Sequence, residues 1–227
     1  MAAADPPTRD RILTAAAELM RRHGYAGTGI KAILSAARAP YGSLYHHFPG
    51  GKEEVGVETI RQGGRVYLDL VEAYLGGDGD LVAATLALFD DAADFVESTD
   101  FADACPIGTI AGEVASTSDP MRRAAADAFA SWLAVIEDRL TAAGVAAGPA
   151  RAVAVELFCA IEGAFLLART TRDAEPLRTV GRAAAARVAQ VLAEAGTAAA
   201  GVVGTGTTVG TGARVGARAA TPGLTRG

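Results

Sequence analysis

Residues 28–48 read Thr28-Gly-Ile-Lys-Ala-Ile-Leu-Ser-Ala-Ala-Arg-Ala-Pro-Tyr-Gly-Ser-Leu-Tyr-His-His-Phe48, with Lys52-Glu-Glu just beyond. Ile30, Ile33, Leu34 and Ala37 recur at the spacing of one face of a short helix. Thr28 stands where the cap of that helix is wanted. Pro40 opens a second short helix carrying Tyr41, Gly42, Ser43, Leu44 and Tyr45. It ends near Phe48-Pro49, and Leu44 and Phe48 read as core. Working outward on the N-terminal side, Ile12, Leu13, Ala16, Leu19 and Met20 share a face of an earlier helix. Thr8 starts it and Gly24 stops it, where a left-handed C-cap is wanted. Three short helices with a tight turn between the second and third make a helix-turn-helix, whose last helix is shaped to enter a major groove.

On the C-terminal side every segment keeps a helical period, and strand signals are missing. A long helix runs from Lys52 to about Leu75. Asp80 caps the next, with Leu81, Leu88, Phe89, Phe95 and Val96 on its buried side. Further helices start at Pro106, at Asp119-Pro120, at Pro149 and at Pro176. The fold class is all-α: a helix-turn-helix head over residues 1–52 and a helical body over 53–195. From Gly196 on, Gly, Thr, Ala and Arg dominate without period, so 196–227 reads as a disordered tail.

Charge separates along the chain although the whole carries only −5. Residues 1–65 hold nine Lys and Arg against six Asp and Glu, and residues 66–196 hold nine against twenty. A basic head on an acidic body suits a head that meets something anionic. There is no signal-peptide pattern and no apolar run of about 18 residues, so a soluble, cytoplasmic chain with no membrane partner is expected. The two cysteines, Cys105 and Cys159, make no disulfide scaffold and read as buried thiols. His46 and His47 are adjacent and point about 100° apart on a helix, with no third ligand near, so no metal is expected. No cofactor is expected either.

The run Gly-Ser-Leu-Tyr-His-His-Phe48, with Lys52 four residues later, strongly resembles the TetR family of one-component transcriptional regulators. The resemblance is close over about residues 8–60. Cys105-Pro-Ile-Gly and Glu162-Gly-Ala followed by Leu-Ala-Arg169 resemble its LmrA/YxaF-type branch, many of whose members sense small molecules. The resemblance implies a homodimer that binds a double-stranded DNA operator and responds to a small-molecule effector. Three positions depart from the family pattern. Arg38 stands where glycine is usual, Pro40 replaces a small polar cap, and Tyr41 stands where many relatives carry a basic or polar residue.

Physical roles for the head follow from residue type. Gly42 lets the recognition helix approach bases closely. Tyr41 and Ser43 flank it and reach base edges. Tyr45, His46 and His47 offer donors to phosphate, and Lys52 joins its charge to a helix N-terminus. Lys31 and Arg38 add charge nearby, and Thr28 caps a helix whose N-terminus points at the DNA backbone in this family.

In the body the candidate pocket residues are Phe89, Phe101, Cys105, Ile107, Phe129, Trp132, Phe158, Glu162 and Phe165. The Trp132 indole needs a hydrogen-bond acceptor if buried. Glu162, on an otherwise apolar face, is either a pocket acid selecting cations or an ion-pair partner at a dimer interface. Small residues, Ala160, Gly163, Ala164, Gly181 and Ala183 to Ala186, predict close packing of the last two helices against a twin. Gly63-Gly64 is either a bend point in the linking helix or a close-packing site.

The reading is a dimeric, ligand-released repressor with no catalytic residues. Two rivals remain. One is a repressor without a ligand, favoured if the body is fully packed. The other is a helical enzyme using Cys105, which lacks a histidine base in its own domain.

Overall fold

The computed structural model describes residues 6–103 and 105–204. The elements are α1 (Thr8–His23), α2 (Ile30–Ala36), α3 (Tyr41–His47), α4 (Gly51–Leu75), α5 (Leu81–Ser98), α6 (Pro106–Val114), α7 (Asp119–Ala142), α8 (Ala147–Thr171) and α9 (Glu175–Gly204). All regular structure among the described residues is helical.

Local signals explain most boundaries. Asp80 caps α5 as expected, accepting from the Val82 and Ala83 amides at 2.9 and 3.2 Å. Ser118 caps α7, and Pro120 sits in its first turn. Gly24 ends α1 at φ 70°, ψ 175°. That is not the left-handed helical cap expected but an extended positive-φ conformation open to glycine alone. A side chain there would also collide with Glu113, whose Oε1 lies 1.7 Å from where a Cβ would stand.

Three expectations need correction. Thr28 does not cap α2: Gly29 occupies that position and offers no side chain. The Thr28 hydroxyl turns inward and donates to the Gly24 carbonyl at 2.7 Å. Phe95 is not buried but 40% exposed, at the edge of the cavity in the body. The last helix does not stop at Glu194: α9 continues through Gly196 to Gly204. Alanines at 198–200, the strongest helix formers, outweigh the interior Gly196 and Gly201. The rest of the predicted tail, 205–227, lies outside the described residues.

The core has two parts. One joins the head to the body: Ile12, Met20, Ile33, Leu44 and Phe48 pack in one cluster with Val55, Ile60, Ile110 and Met121. The other fills the space between α5, α7, α8 and α9, around Phe89, Leu140, Leu157, Leu177 and Val188. The apolar cluster therefore runs straight across the predicted division at 52/53.

Candidate functional site

The turn between α2 and α3 is a closed structure. The Ala39 amide bonds the Leu34 carbonyl at 2.9 Å and the Arg38 amide bonds Ser35 at 3.1 Å, the double pattern of a helix ended by one left-handed residue. Arg38 is that residue, at φ 50°. The expected departure from glycine is thus real, and the strain is carried in an arginine. The Arg11 side chain clamps the same corner, donating to the Ala37 carbonyl at 3.0 Å.

Leu44 and Phe48 anchor α3 to the core and are fully buried. Its other side is open. Tyr41 and Tyr45, one helical turn apart on this open face, are 59% and 50% exposed. Gly42, Pro40, Lys31, Arg38 and His46 are exposed beside them, and Ser43 and His47 are half-buried. A methyl group at Gly42 would meet nothing within 4 Å among the described residues. Thr28 lies apart from this surface, buried. Lys52 stands in the first turn of α4, but its ammonium lies over the Tyr25 ring, 4.2 Å from the centroid. Burial lowers its pKa, opposed by the nearby Glu113.

Several polar contacts fasten this head to the body. The Glu113 carboxylate, near the end of α6, accepts from the Ala26 amide at 2.7 Å, just after the end of α1. Just past the head, Glu53 in the first turn of α4 accepts from the Ser118 hydroxyl at 2.6 Å. Asp103, buried just before α6, is paired with Arg21 of α1 and has Arg22 Nε at 3.7 Å. No pattern in a single sequence marks these partners, because each joins residues far apart in the chain.

The body is not fully packed. A cavity of about 460 Å³ lies between α4, α5, α7 and α8 and the start of α6, within the size range of small-molecule sites. Phe89, Cys105, Trp132, Phe158, Glu162 and Phe165 line it as expected. The other three candidates do not. Phe101 sits beyond α5 at φ 59°, under the Arg172 guanidinium. Ile107 is buried in the core, its Cδ1 near Gly63 of α4. Phe129 stands behind Trp132, packed against it and against Phe158 at centroid distances of 5.5 and 5.0 Å. The α4 wall, including Val66, Tyr67, Leu70 and Tyr74, was missed. Its helical spacing was legible, but α4 was read only as a link.

Trp132 finds its acceptor in α4: the indole donates to the Gly64 carbonyl at 2.9 Å. A Cβ at Gly64 would stand 2.9 Å from Ala128 Cβ, and one at Gly63 would stand 3.1 Å from Ile107 Cδ1. The glycine pair thus serves close packing of α4 against α7 and α6.

Glu162 reaches from α8 toward the first turn of α6, where a Cβ at Gly108 would be 2.4 Å from its Oε2. Burial raises its pKa, and the adjacent Cys105 thiol partly offsets this. The Cys105 thiol is itself pushed well up, first by burial and then by Glu162. A thiol so held is a poor nucleophile. Cys159, expected buried, is exposed on α8. At the cavity edge the Tyr74 hydroxyl is hydrogen-bonded to Asp91.

A three-helix head with an exposed second helix of a helix-turn-helix, set on a hollow helical body, defines a DNA-binding transcriptional regulator. Residues 12–58 match the family described as bacterial regulatory proteins, tetR family, and residues 82–183 match the C-terminal domain of LmrA/YxaF-like transcriptional regulators. The uncharacterised regulator YxaF of Bacillus subtilis is 33% identical over 75% of this chain and 89% of its own length. The regulator LmrA of the same organism is 31% identical over 75% and 90%. The regulatory protein TetR from Rhodobacter sphaeroides has the same fold, with a TM-score of 0.70 at 24% identity over 79% of this chain and 98% of that one. A TetR regulator from Chloroflexus aurantiacus superimposes with a TM-score of 0.68 at 26% identity, over 81% and 94%. The chain belongs to the TetR family, in its LmrA/YxaF-like branch. This is a class of regulators, not of enzymes. Among the described residues no helix is long and apolar enough to cross a membrane.

Proposed function

We propose that the protein is a cytoplasmic homodimeric repressor, released from its operator by a small molecule that enters the cavity. The observation that carries this reading is the position of α6. Its first turn lies against Glu162 at the cavity wall, and its last turn holds the Ala26 amide through Glu113. Gly108 and Glu113, at the two places, are five residues apart on one helix, a rise of about 7–8 Å. A ligand that displaces Glu162 or Cys105 changes the seat of α6 and, with it, the turn that follows α1. Release requires that the ligand favour one head position over the other, since equal affinity for both shifts nothing. The open cavity weighs against a repressor without a ligand.

On the DNA side, Tyr41, Gly42 and Ser43 face the bases, while Lys31, Arg38, Tyr45, His46, His47 and Lys52 serve phosphates and Pro40 sets the start of α3. Most of these contacts position the head, and few specify sequence. A phosphate at Lys52 must compete with the Tyr25 ring for its ammonium.

Exposed Val155, Leu166 and Leu167 on α8 support a self-association face. Gly163, Ala183 and Ala186 are exposed and free to serve it. Gly181, Ala164 and Ala184 are spent inside the protomer: a Cβ at Gly181 would stand 2.5 Å from Phe89 Cβ. A two-fold pair would present two α3 helices at half-sites about 34–36 Å apart or somewhat more.

The test is fluorescence anisotropy against intergenic DNA upstream of the protein's own coding region, with and without small-molecule panels. Specific binding that a compound reverses is the expected result. Glu113→Ala, which removes the acceptor, should keep operator binding and blunt its reversal. Full reversal in that variant overturns the α6 route.

A further inference from the structure

We infer that the cavity selects hydrophobic organic cations, monoamines with aromatic groups, and that Glu162 is their counter-charge. This rests on the cavity being the effector site and names the class of effector. Three observations carry it.

The first is the balance of polar groups. Two carboxylates, Glu162 and Asp91, line the cavity, and among the described residues no Lys, Arg or His does. An organic anion would find no countercharge there and would meet two like charges. The second is the state of each acid. Asp91 is exposed and accepts a hydrogen bond from Tyr74. Glu162 is half-buried in the wall and, among the described residues, has no salt-bridge partner; its neighbours are the Cys105 thiol and the first turn of α6. A carboxylate partly withdrawn from water without a cation bears a desolvation penalty, and a cation brought to it offsets that penalty. The third is the wall. Trp132, Phe158, Phe165 and Tyr67 stand around it, with Trp132 and Phe158 crossing edge to face at 5.8 Å. Aromatic faces attract cations, most strongly where water is excluded. A neutral ligand gains the apolar contacts but leaves Glu162 uncompensated.

Trp132 is the only tryptophan of the chain and lies in the cavity wall, so its fluorescence reads occupancy directly, without DNA. The probes are 3,3-diphenylpropylamine, 3,3-diphenylpropanol and 3,3-diphenylpropanoate, which share one hydrophobic skeleton and differ in charge. The amine should bind at least about tenfold more tightly than the alcohol, and the carboxylate least. Glu162→Gln should remove the amine's advantage while leaving alcohol binding intact, which also shows that the cavity still forms. Asp91→Asn should change the ratio little. Equal or better binding of the alcohol or carboxylate overturns the assignment while leaving the cavity a ligand site. So does an amine preference that survives Glu162→Gln, and so does failure of all three to bind. Amine binding that never loosens operator DNA leaves the cation class standing and refutes the effector role instead.

Discussion

The contact between Gly64 and Ala128 supports a quantitative prediction about the junction that also forms the cavity wall. Gly64→Ala adds a methyl group 2.9 Å from Ala128 Cβ and 3.8 Å from its Cα. Both belong to α7, so the helices must part. Overpacking of this kind costs about 1–3 kcal/mol, while replacing a helical glycine by alanine returns about 1 kcal/mol. The net expectation is a loss of about 1 kcal/mol. Ala128→Gly alone loses about 1 kcal/mol of helix propensity and about 0.8 kcal/mol for one buried methyl, near 2 kcal/mol together. In the double variant the methyl merely changes sides. The clash is gone, the two propensity changes cancel, and stability should return to within about 0.5 kcal/mol of the parent. Urea unfolding by circular dichroism, at one fixed protomer concentration, measures all four proteins. Trp132 fluorescence reports whether the indole keeps its bond to the carbonyl of residue 64. A double variant about 3 kcal/mol below the parent, the sum of the singles, would refute the packing account and return Gly63-Gly64 to the role of a bend.

Arg38→Gly removes a left-handed arginine, so thermal unfolding should show a gain of about 0.5–1 kcal/mol. The same variant should bind operator DNA more weakly, and a gain in both would place Arg38 away from phosphate. Lys52→Ala should lower the slope of log affinity against log salt by about 0.9 per protomer, whereas Tyr45→Phe should weaken binding with the slope unchanged. Burial holds the Glu162 carboxyl above its ordinary value of 4.5, with Cys105 and Tyr67 as its titratable neighbours. The unfolded chain therefore ionises first, and Glu162 subtracts stability as pH rises from 4.5 through the folded-state value. Glu162→Gln should gain on the parent across that window, and a difference in unfolding free energy that is flat with pH contradicts the burial.

The head was legible because its information is local. The spacing of Ile30, Ile33, Leu34 and Ala37, the anchors Leu44 and Phe48, and the misfit of Arg38 all lie within twenty-one residues. The requirement that Trp132 find an acceptor was also legible, although its identity, Gly64, was not. Thr28 misled because a hydroxyl near a helix start can cap or turn inward, and only the proximity of the Gly24 carbonyl decides which. Residue type alone cannot separate the lining of the cavity from its surroundings. Phe101, Ile107 and Phe129 are as apolar as Phe158 and Phe165, and only the three-dimensional packing sorts cavity wall from filling. The bridges from Glu113 to Ala26 and from Asp103 to Arg21 span 87 and 82 positions, beyond any periodicity.

The continuity of the apolar cluster across residue 52 bears on attempts to build chimaeric regulators. Val55 and Ile60 of α4, Ile110 of α6 and Met121 of α7 complete the packing of the head, and the Met121 methyl lies where a side chain at Gly56 would stand. A head grafted at residue 52 onto a foreign sensor loses this floor. It also loses the carboxylate that fills the space beside Gly24. A transplant that keeps its operator should therefore carry α6 and the start of α7 with it. The exchangeable unit is a head together with its socket, and the seam belongs in the body.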